Sequence, residues 1–231
     1  MNVRRASLLA PLLLASLGVQ AAVRLAGPVP PALGAWLPHF RTALFMRSEQ
    51  YDGLPADVGH YIVSRAVERV EPQRTLYKEC ERRIDHKKKV ACALTFAGLD
   101  GYGNAASWID GRWDWFSPPQ VVLPPTPTPG STWDARHWKR GNASHRSCEV
   151  VDDSSFCDGG IASRCHTEFP ASAVQIAQHF CPGIGWVGED AFAQYEGGHV
   201  FSTFTFGVLL DGVPGPTRRP KPTTDAPRAT H

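Results

Sequence analysis

Apolar positions along the first third of the chain recur at intervals of three and four residues. Leu33, Trp36, Leu37, Phe40, Leu44 and Phe45 fall at helical spacing around Pro38, which predicts a helix starting near that proline. Asp57 is a capping residue for a second helix, whose apolar positions Val58, Ile62, Ala66 and Val70 share one face and which ends at Pro72. A third amphipathic helix runs from Gln73 to His86 on Leu76, Cys80 and Ile84, and Lys87, Lys88 and Lys89 suit its C-terminal end. Val90 to Phe96 then reads as a strand. Asp110-Gly111 between the aromatic arms Ser107–Ile109 and Arg112–Trp115 predicts a β-hairpin.

The pattern changes at residues 117–130, where Pro118, Pro119, Pro124, Pro125, Pro127 and Pro129 favour an extended linker. Beyond it, Ala173, Val174, Ile176, Ala177 and Phe180 predict a helix over 170–180, ended by Cys181-Pro182-Gly183. Phe201, Phe204, Phe206 and Val208 mark a β segment. The 213–231 stretch is Pro, Thr, Arg and Lys, the composition of a disordered tail. The expected fold is therefore α+β, disulfide-stabilised, with a small antiparallel sheet and packed helices. Its divisions are a leader at 1–22, a helical and hairpin region at 23–117, the Pro-rich linker at 118–140, a cysteine-rich α+β domain at 141–212, and the tail.

The leader sets the compartment. Arg4 and Arg5 precede an apolar run from Ala6 to Val19 that exits through Ala21 and Ala22, the parts of a secretory signal peptide, and the run is short for a membrane span. A secreted, extracellular protein is expected. There Cys80, Cys92, Cys148, Cys157, Cys165 and Cys181 should pair as disulfides. Two lie before Lys139-Arg140 and four after it, and the last four allow three pairings. Lys139 and Arg140 form a candidate processing site, and Asn142-Ala143-Ser144 is a glycosylation triplet at Asn142.

Charge excludes one class of function. The 24 Lys and Arg nearly balance the 22 Asp and Glu, so a nucleic-acid footprint is absent. There are 18 against 12 before position 141 and 6 against 10 after it, a division that would hold cleaved halves together. No cofactor or metal motif occurs; His145, His166 and His179 interleave with cysteines at spacings unlike a zinc signature. No nucleophile elbow, metalloprotease helix or phosphate loop is present, so no catalytic residue is assigned. Glu189, Asp190, Glu196 and His199 are the acid–base candidates for a hydrolase of glycan or peptide. Trp108, Trp113 and Trp115 are a candidate binding surface on the hairpin.

Asp153-Ser154-Ser155-Phe156, Cys165 ahead of a helix, Trp186 after it and a closing Phe206-Gly207-Val208 strand resemble the killer-toxin-like, necrosis-inducing-factor family of fungal secreted effectors, over residues 148–211. That resemblance implies a small α+β sandwich, secretion, and toxic or host-directed activity, a role in virulence, without a known catalytic apparatus; the Asn142 triplet adds the expectation of a glycoprotein. The function expected is a toxin- or effector-like protein that binds a protein, glycan or membrane-surface target rather than catalysing a reaction. The alternatives are the hydrolase above and a soluble subunit of a viral envelope glycoprotein.

Overall fold

The computed structural model describes residues 27–51, 54–84, 90–139, 142–169, 172–193, 199–210 and 213–214. The leader at 1–22, Lys87 to Lys89, Arg140, Glu196 and the tail beyond 214 lie outside the described residues.

The described residues are almost entirely β. After one short helix, α1 (Pro31–Gly34), come β1 (Thr42–Tyr51), β2 (Asp57–Val70), β3 (Arg74–Arg83), β4 (Val90–Gly98), β5 (Gly101–Ile109) and β6 (Arg112–Leu123). They are followed by β7 (Thr132–Lys139), β8 (Asn142–Asp152), β9 (Ile161–Phe169), β10 (Ser172–Cys181), β11 (Gly185–Ala193), β12 (His199–Leu210) and the two-residue β13 (Val213–Pro214). Each strand pairs antiparallel with the next, and β1 also pairs with β12, from Ala43↔Leu210 to Tyr51↔Phe201. Twelve strands thus close on themselves in up-and-down order, which removes the sheet edges that an open meander would expose.

The expected α+β fold is overturned by this sheet. The helices read at 57–70, 73–86 and 170–180 are strands β2, β3 and β10. A spacing of four residues is shared by one face of a helix and one face of a strand, since four is also twice two. Val58, Ile62 and Ala66 do share a face, but it is the outer one. The inward face of β2 carries Gly59, Tyr61, Val63 and Arg65, all buried. Val58, Ile62, Val63, Val67 and Val70 are β-branched, as a strand prefers. The helix expected near Pro38 is also absent: α1 ends at Gly34, and Leu44 and Phe45 belong to β1. Cys165 precedes a strand, so the α+β sandwich implied by the effector resemblance is not formed.

The Pro-rich stretch is part strand and part connection: Pro118 and Pro119 lie in β6, whereas Pro124, Pro125, Pro127 and Pro129 lie between β6 and β7. Residues up to Leu123 complete β6, Thr132 opens β7, and Leu123 is fully buried. The hairpin over Ser107–Trp115 is present, turning at Asp110 (φ 51°) and Gly111 (φ 80°), both in the left-handed region that a two-residue hairpin turn requires.

One end of the barrel is plugged by the segment before β1. Leu33 and Leu37 are fully buried against Tyr77, Tyr102, Leu123, Val150 and Phe180, which come from the same rim on five strands. Backbone bonds hold the plug there: His39 N–H donates to Gly183 O and Gly183 N–H to Ala35 O, both at 2.8 Å. Outside, exposed Lys78, Arg82, Glu149, Arg164 and Gln175 give the wall a polar surface suited to water rather than to lipid. A small outer core of Leu76, Leu94, Phe96 and Ala106 lies on β3–β5, with Trp113 and Val121 packed against it.

Candidate functional site

Alternation along β1, β2 and β3 sends Arg47, Arg65, Glu79 and Glu81 into the barrel, where isolated charges would be strongly unfavourable. Arg65 meets Glu79 directly across the β2–β3 register, and Arg47 reaches from β1 over β2 to Glu81. Arg47 Nη1 lies 2.5 Å from Glu81 Oε2, and Arg65 Nε lies 2.9 Å from Glu79 Oε1. Thr95 donates to Glu79 at 2.8 Å, and Arg65 Nη1 donates to the plug at Pro38 O, 2.9 Å away. Aromatic faces complete the surroundings. The Arg65 guanidinium stands 3.6 Å from the Tyr77 ring centroid, and that of Arg47 stands 4.7 Å from Tyr61 and 4.8 Å from Trp186.

Beside these pairs lies a cavity of about 240 Å³, walled by Phe40, Phe45, Val63 and Ile184 on its apolar side and by Arg47, Glu79, Glu81 and Trp186 on its polar side. Arg47 is 3% exposed, yet its Nη2 has no hydrogen-bond partner in the protein, and neither has the buried Nε1 of Trp186. Buried donors are almost always paired. Burial and the Glu49 carboxylate that accepts its hydrogen bond at 2.7 Å both push the Tyr61 hydroxyl up, so it stays protonated. Burial does the same for Tyr102.

Across the barrel, Gln178 donates to Glu189 at 2.7 Å, and Arg146 reaches the Gln120 amide oxygen at 2.7 Å. Burial raises the Glu189 carboxyl and lowers the Arg146 guanidinium, the response of two charges inside a low-dielectric interior. Glu189 and Asp190 were candidates for paired acid–base work, but as neighbours on β11 they face opposite sides of the sheet. Glu189 meets Gln178 indoors, while Asp190 meets His179 on the outer wall. Glu196 is outside the described residues. His199 opens β12, opposite Ala193.

His179 forms a second cluster, on the outer face. Its Nδ1 bonds Asp153 and its Nε2 lies 3.1 Å from Asp190, while its ring stacks 4.7 Å from Phe156. Burial works against the imidazolium, but the hydrogen bonds and charges of Asp153 and Asp190 outweigh it and raise His179 to about 9. Burial would likewise raise Asp153, and the bonds from His179 and Ser155 bring it down to about 2. The cluster fastens the β8–β9 loop, which carries Asp153 and Phe156, to β10 and β11.

All six cysteines are paired: Cys80–Cys92 between β3 and β4, Cys148–Cys165 between β8 and β9, and Cys157–Cys181, which ties the same β8–β9 loop to the end of β10. The last two form the crossed arrangement among the three pairings that sequence allowed. Trp108, Trp113 and Trp115 share the outer face of the β5–β6 hairpin; Trp108 and Trp115 are 42% and 51% exposed, and Trp113 packs edge-on to Trp108 at 5.1 Å. Lys139 and Asn142 flank the β7–β8 connection in register with each other. Their side chains lie outside the described residues, and a cut after Arg140 would leave both halves within one sheet. Among the described residues no group of three His, Cys, Asp or Glu is placed to hold a metal ion.

Arg47, Glu79, Glu81 and Trp186 were not singled out from the sequence as a site. The available signal was charge at alternate positions, Glu79 and Glu81, inside a strand whose next inward residue is Tyr77.

No protein-family model matches the chain, and no curated protein matches it. Two solved structures do. One is a putative lipoprotein from Parabacteroides distasonis, 9% identical, covering 73% of this chain and 95% of its own length at a TM-score of 0.37. The other is a putative exported protein with a YmcC-like fold from Bacteroides fragilis, 12% identical, covering 74% of this chain and 97% of its own at a TM-score of 0.36.

Proposed function

We propose that this chain is an exported binding protein that carries a small molecule inside its barrel. The observation that carries the reading is the 240 Å³ cavity, whose wall sets the apolar Phe40, Phe45, Val63 and Ile184 against the charged Arg47, Glu79 and Glu81. A cavity of 150 Å³ accommodates benzene, so this one suits a ligand of roughly ten non-hydrogen atoms. Apolar walls with a few convergent polar groups are the usual make-up of a ligand site.

Binding is favoured over catalysis because the charged groups along the wall are already committed. Glu81 is paired with Arg47 and Glu79 with Arg65. A general acid or base needs a proton to exchange near working pH. Export is supported by the three disulfides with no cysteine left free, a pattern that persists in oxidising compartments.

The test is occupancy of the cavity. Val63→Trp places an indole in the space, and circular dichroism checks that the barrel is retained. Ligand-observed NMR with acetophenone and α-methylstyrene should give binding to the wild-type protein and none to the variant. Equal binding to both proteins, or none to either, would remove the cavity as the site.

A further inference from the structure

A second surface lies on the outer wall, built from the β5–β6 hairpin, and none of its residues lines the cavity. Ala105 is an extra residue in the β4–β5 register, between Thr95↔Asn104 and Leu94↔Ala106, and this bulge turns Ala106 and Trp108 outward. Trp113 and Trp115 follow them at Trp108↔Trp113 and Ala106↔Trp115. Among the described Trp, Tyr and Phe side chains, only Trp108 and Trp115 are exposed. Trp113 is the brace between wall and platform. It packs against the outer core of Leu76, Leu94 and Phe96, and its ring stands edge-on to Trp108 at 5.1 Å and 72°.

We infer that Trp108 and Trp115 form a glycan-binding platform for an uncharged, extended β-linked polysaccharide. A pyranose with equatorial substituents has a flat face of C–H bonds and a rim of hydroxyls. The face needs an aromatic ring to stack on, and the rim needs water or polar neighbours. Indoles held on the outside of a rigid hairpin meet both needs, since each ring is covered on one side and open on the other. Trp108 and Trp115 are diagonal neighbours, about 7–8 Å apart, so one extended chain can lay a sugar ring on each.

Other occupants fit the surface less well. The two indoles leave open roughly 200 Å² of aromatic surface, at 42% and 51% exposure. A stable protein interface needs about 800 Å² on each partner, and the wall beyond the rings carries exposed Lys78 and Arg82. An anionic bilayer calls for clustered lysine and arginine, whereas Asp110, Arg112 and Asp114 on this hairpin mix both signs. A neutral ligand with polar edges suits such a border.

Cellohexaose, a flat ribbon, and maltohexaose, a coiled chain of the same sugar, separate stacking from general affinity for carbohydrate. Each is titrated against the full-length oxidised protein at neutral pH, read by tryptophan fluorescence. A coiled chain can stack one ring where the ribbon stacks two, so cellohexaose should bind at least about fivefold more tightly. Trp108→Ala and Trp115→Ala should each weaken cellohexaose about tenfold. Circular dichroism of both variants should match the wild type, because the side chains removed are exposed. Trp115→Tyr keeps a ring and should recover most of the affinity. Val63→Trp, which fills the cavity, should leave cellohexaose binding unchanged.

Absence of cellohexaose binding, equal affinity for the two glycans, or unaltered affinity in both alanine variants would overturn the platform. So would self-association that is lost in Trp115→Ala and occurs without glycan binding, which would assign the rings to a second copy of the chain.

Discussion

His179 illustrates how a single side chain can carry a pH signature for the whole fold. Its imidazolium is raised from 6.5 to about 9, so the stability it contributes is fully present below pH 6.5 and is lost as pH rises through about 9. Asp153 is lowered from 3.8 to about 2, so its contribution is present above pH 3.8 and is lost as pH falls through about 2. Both describe the same contact, and they leave a plateau between about pH 4 and 6.5. Urea unfolding at pH 5.5 and at pH 9.5 should differ by on the order of 2 to 3 kcal/mol, with the lower value at pH 9.5. In His179→Gln that alkaline loss should largely vanish; a loss of unchanged size would assign it to other groups. Arg47 makes a second test at this scale. Arg47→Met leaves Glu81 without its partner in the barrel and should cost about 3 kcal/mol, whereas Arg47→Met with Glu81→Gln should recover at least half of that. Additive losses in the double variant would mean that the pair is not coupled.

The strands explain why part of this architecture was legible in the sequence and part was not. The Asp110-Gly111 hairpin could be read because its turn residues have a specific backbone requirement. The disulfide-bonded state could be read from the leader and the cysteine count. Strands β2, β3 and β10 were read as helices because their inward faces mix apolar and polar residues: Val63 with Arg65, Tyr77 with Glu79 and Glu81, Phe180 with Gln178. A barrel with a polar interior breaks the hydrophobic alternation by which a half-buried strand is recognised. The outward residues at 58, 62 and 66, continued by Val70 beyond a bulge, then supply a false helical face. The two readings make opposite demands on β2. A helix buried on that face would need Val58, whereas the strand leaves it 52% exposed and buries Val63 to 9%. Val58→Asp should change unfolding free energy by no more than about 0.5 kcal/mol, while Val63→Asp should cost more than about 4 kcal/mol or prevent folding. Similar losses from both, measured by chemical denaturation, would contradict the assigned faces. The cavity was invisible for the same reason, since Arg47, the pair Glu79 and Glu81, and Trp186 lie on three different strands, β1, β3 and β11, and meet only after the sheet has closed.

Closure governs the molecule as a whole, because β1 must find β12 from the opposite end of the chain. Such long-range pairing gains its contacts only after a large loss of chain entropy. The disulfides act on the same quantity within shorter loops, at sequence separations of 12, 17 and 24. In the chain-entropy model each would stabilise the fold by about 3 kcal/mol. Three of them together are comparable with the 5–15 kcal/mol by which whole domains are stable. None of the three joins β1 to β12, so reduction should act on the entropy of the open chain without cutting the seam of the barrel directly. The cross-links Cys148–Cys165 and Cys157–Cys181 converge on the β8–β9 loop that His179 also fastens, so their removal should loosen that loop first. Thermal unfolding in the presence of a strong reductant should therefore fall by at least about 10 °C relative to the oxidised protein, with amides of residues 153–160 losing hydrogen-exchange protection before those of β1 and β12. A reduced barrel that keeps its midpoint within a few degrees would show that closure of the sheet suffices without the cross-links. It would also remove the main physical reason for assigning the chain to an oxidising compartment.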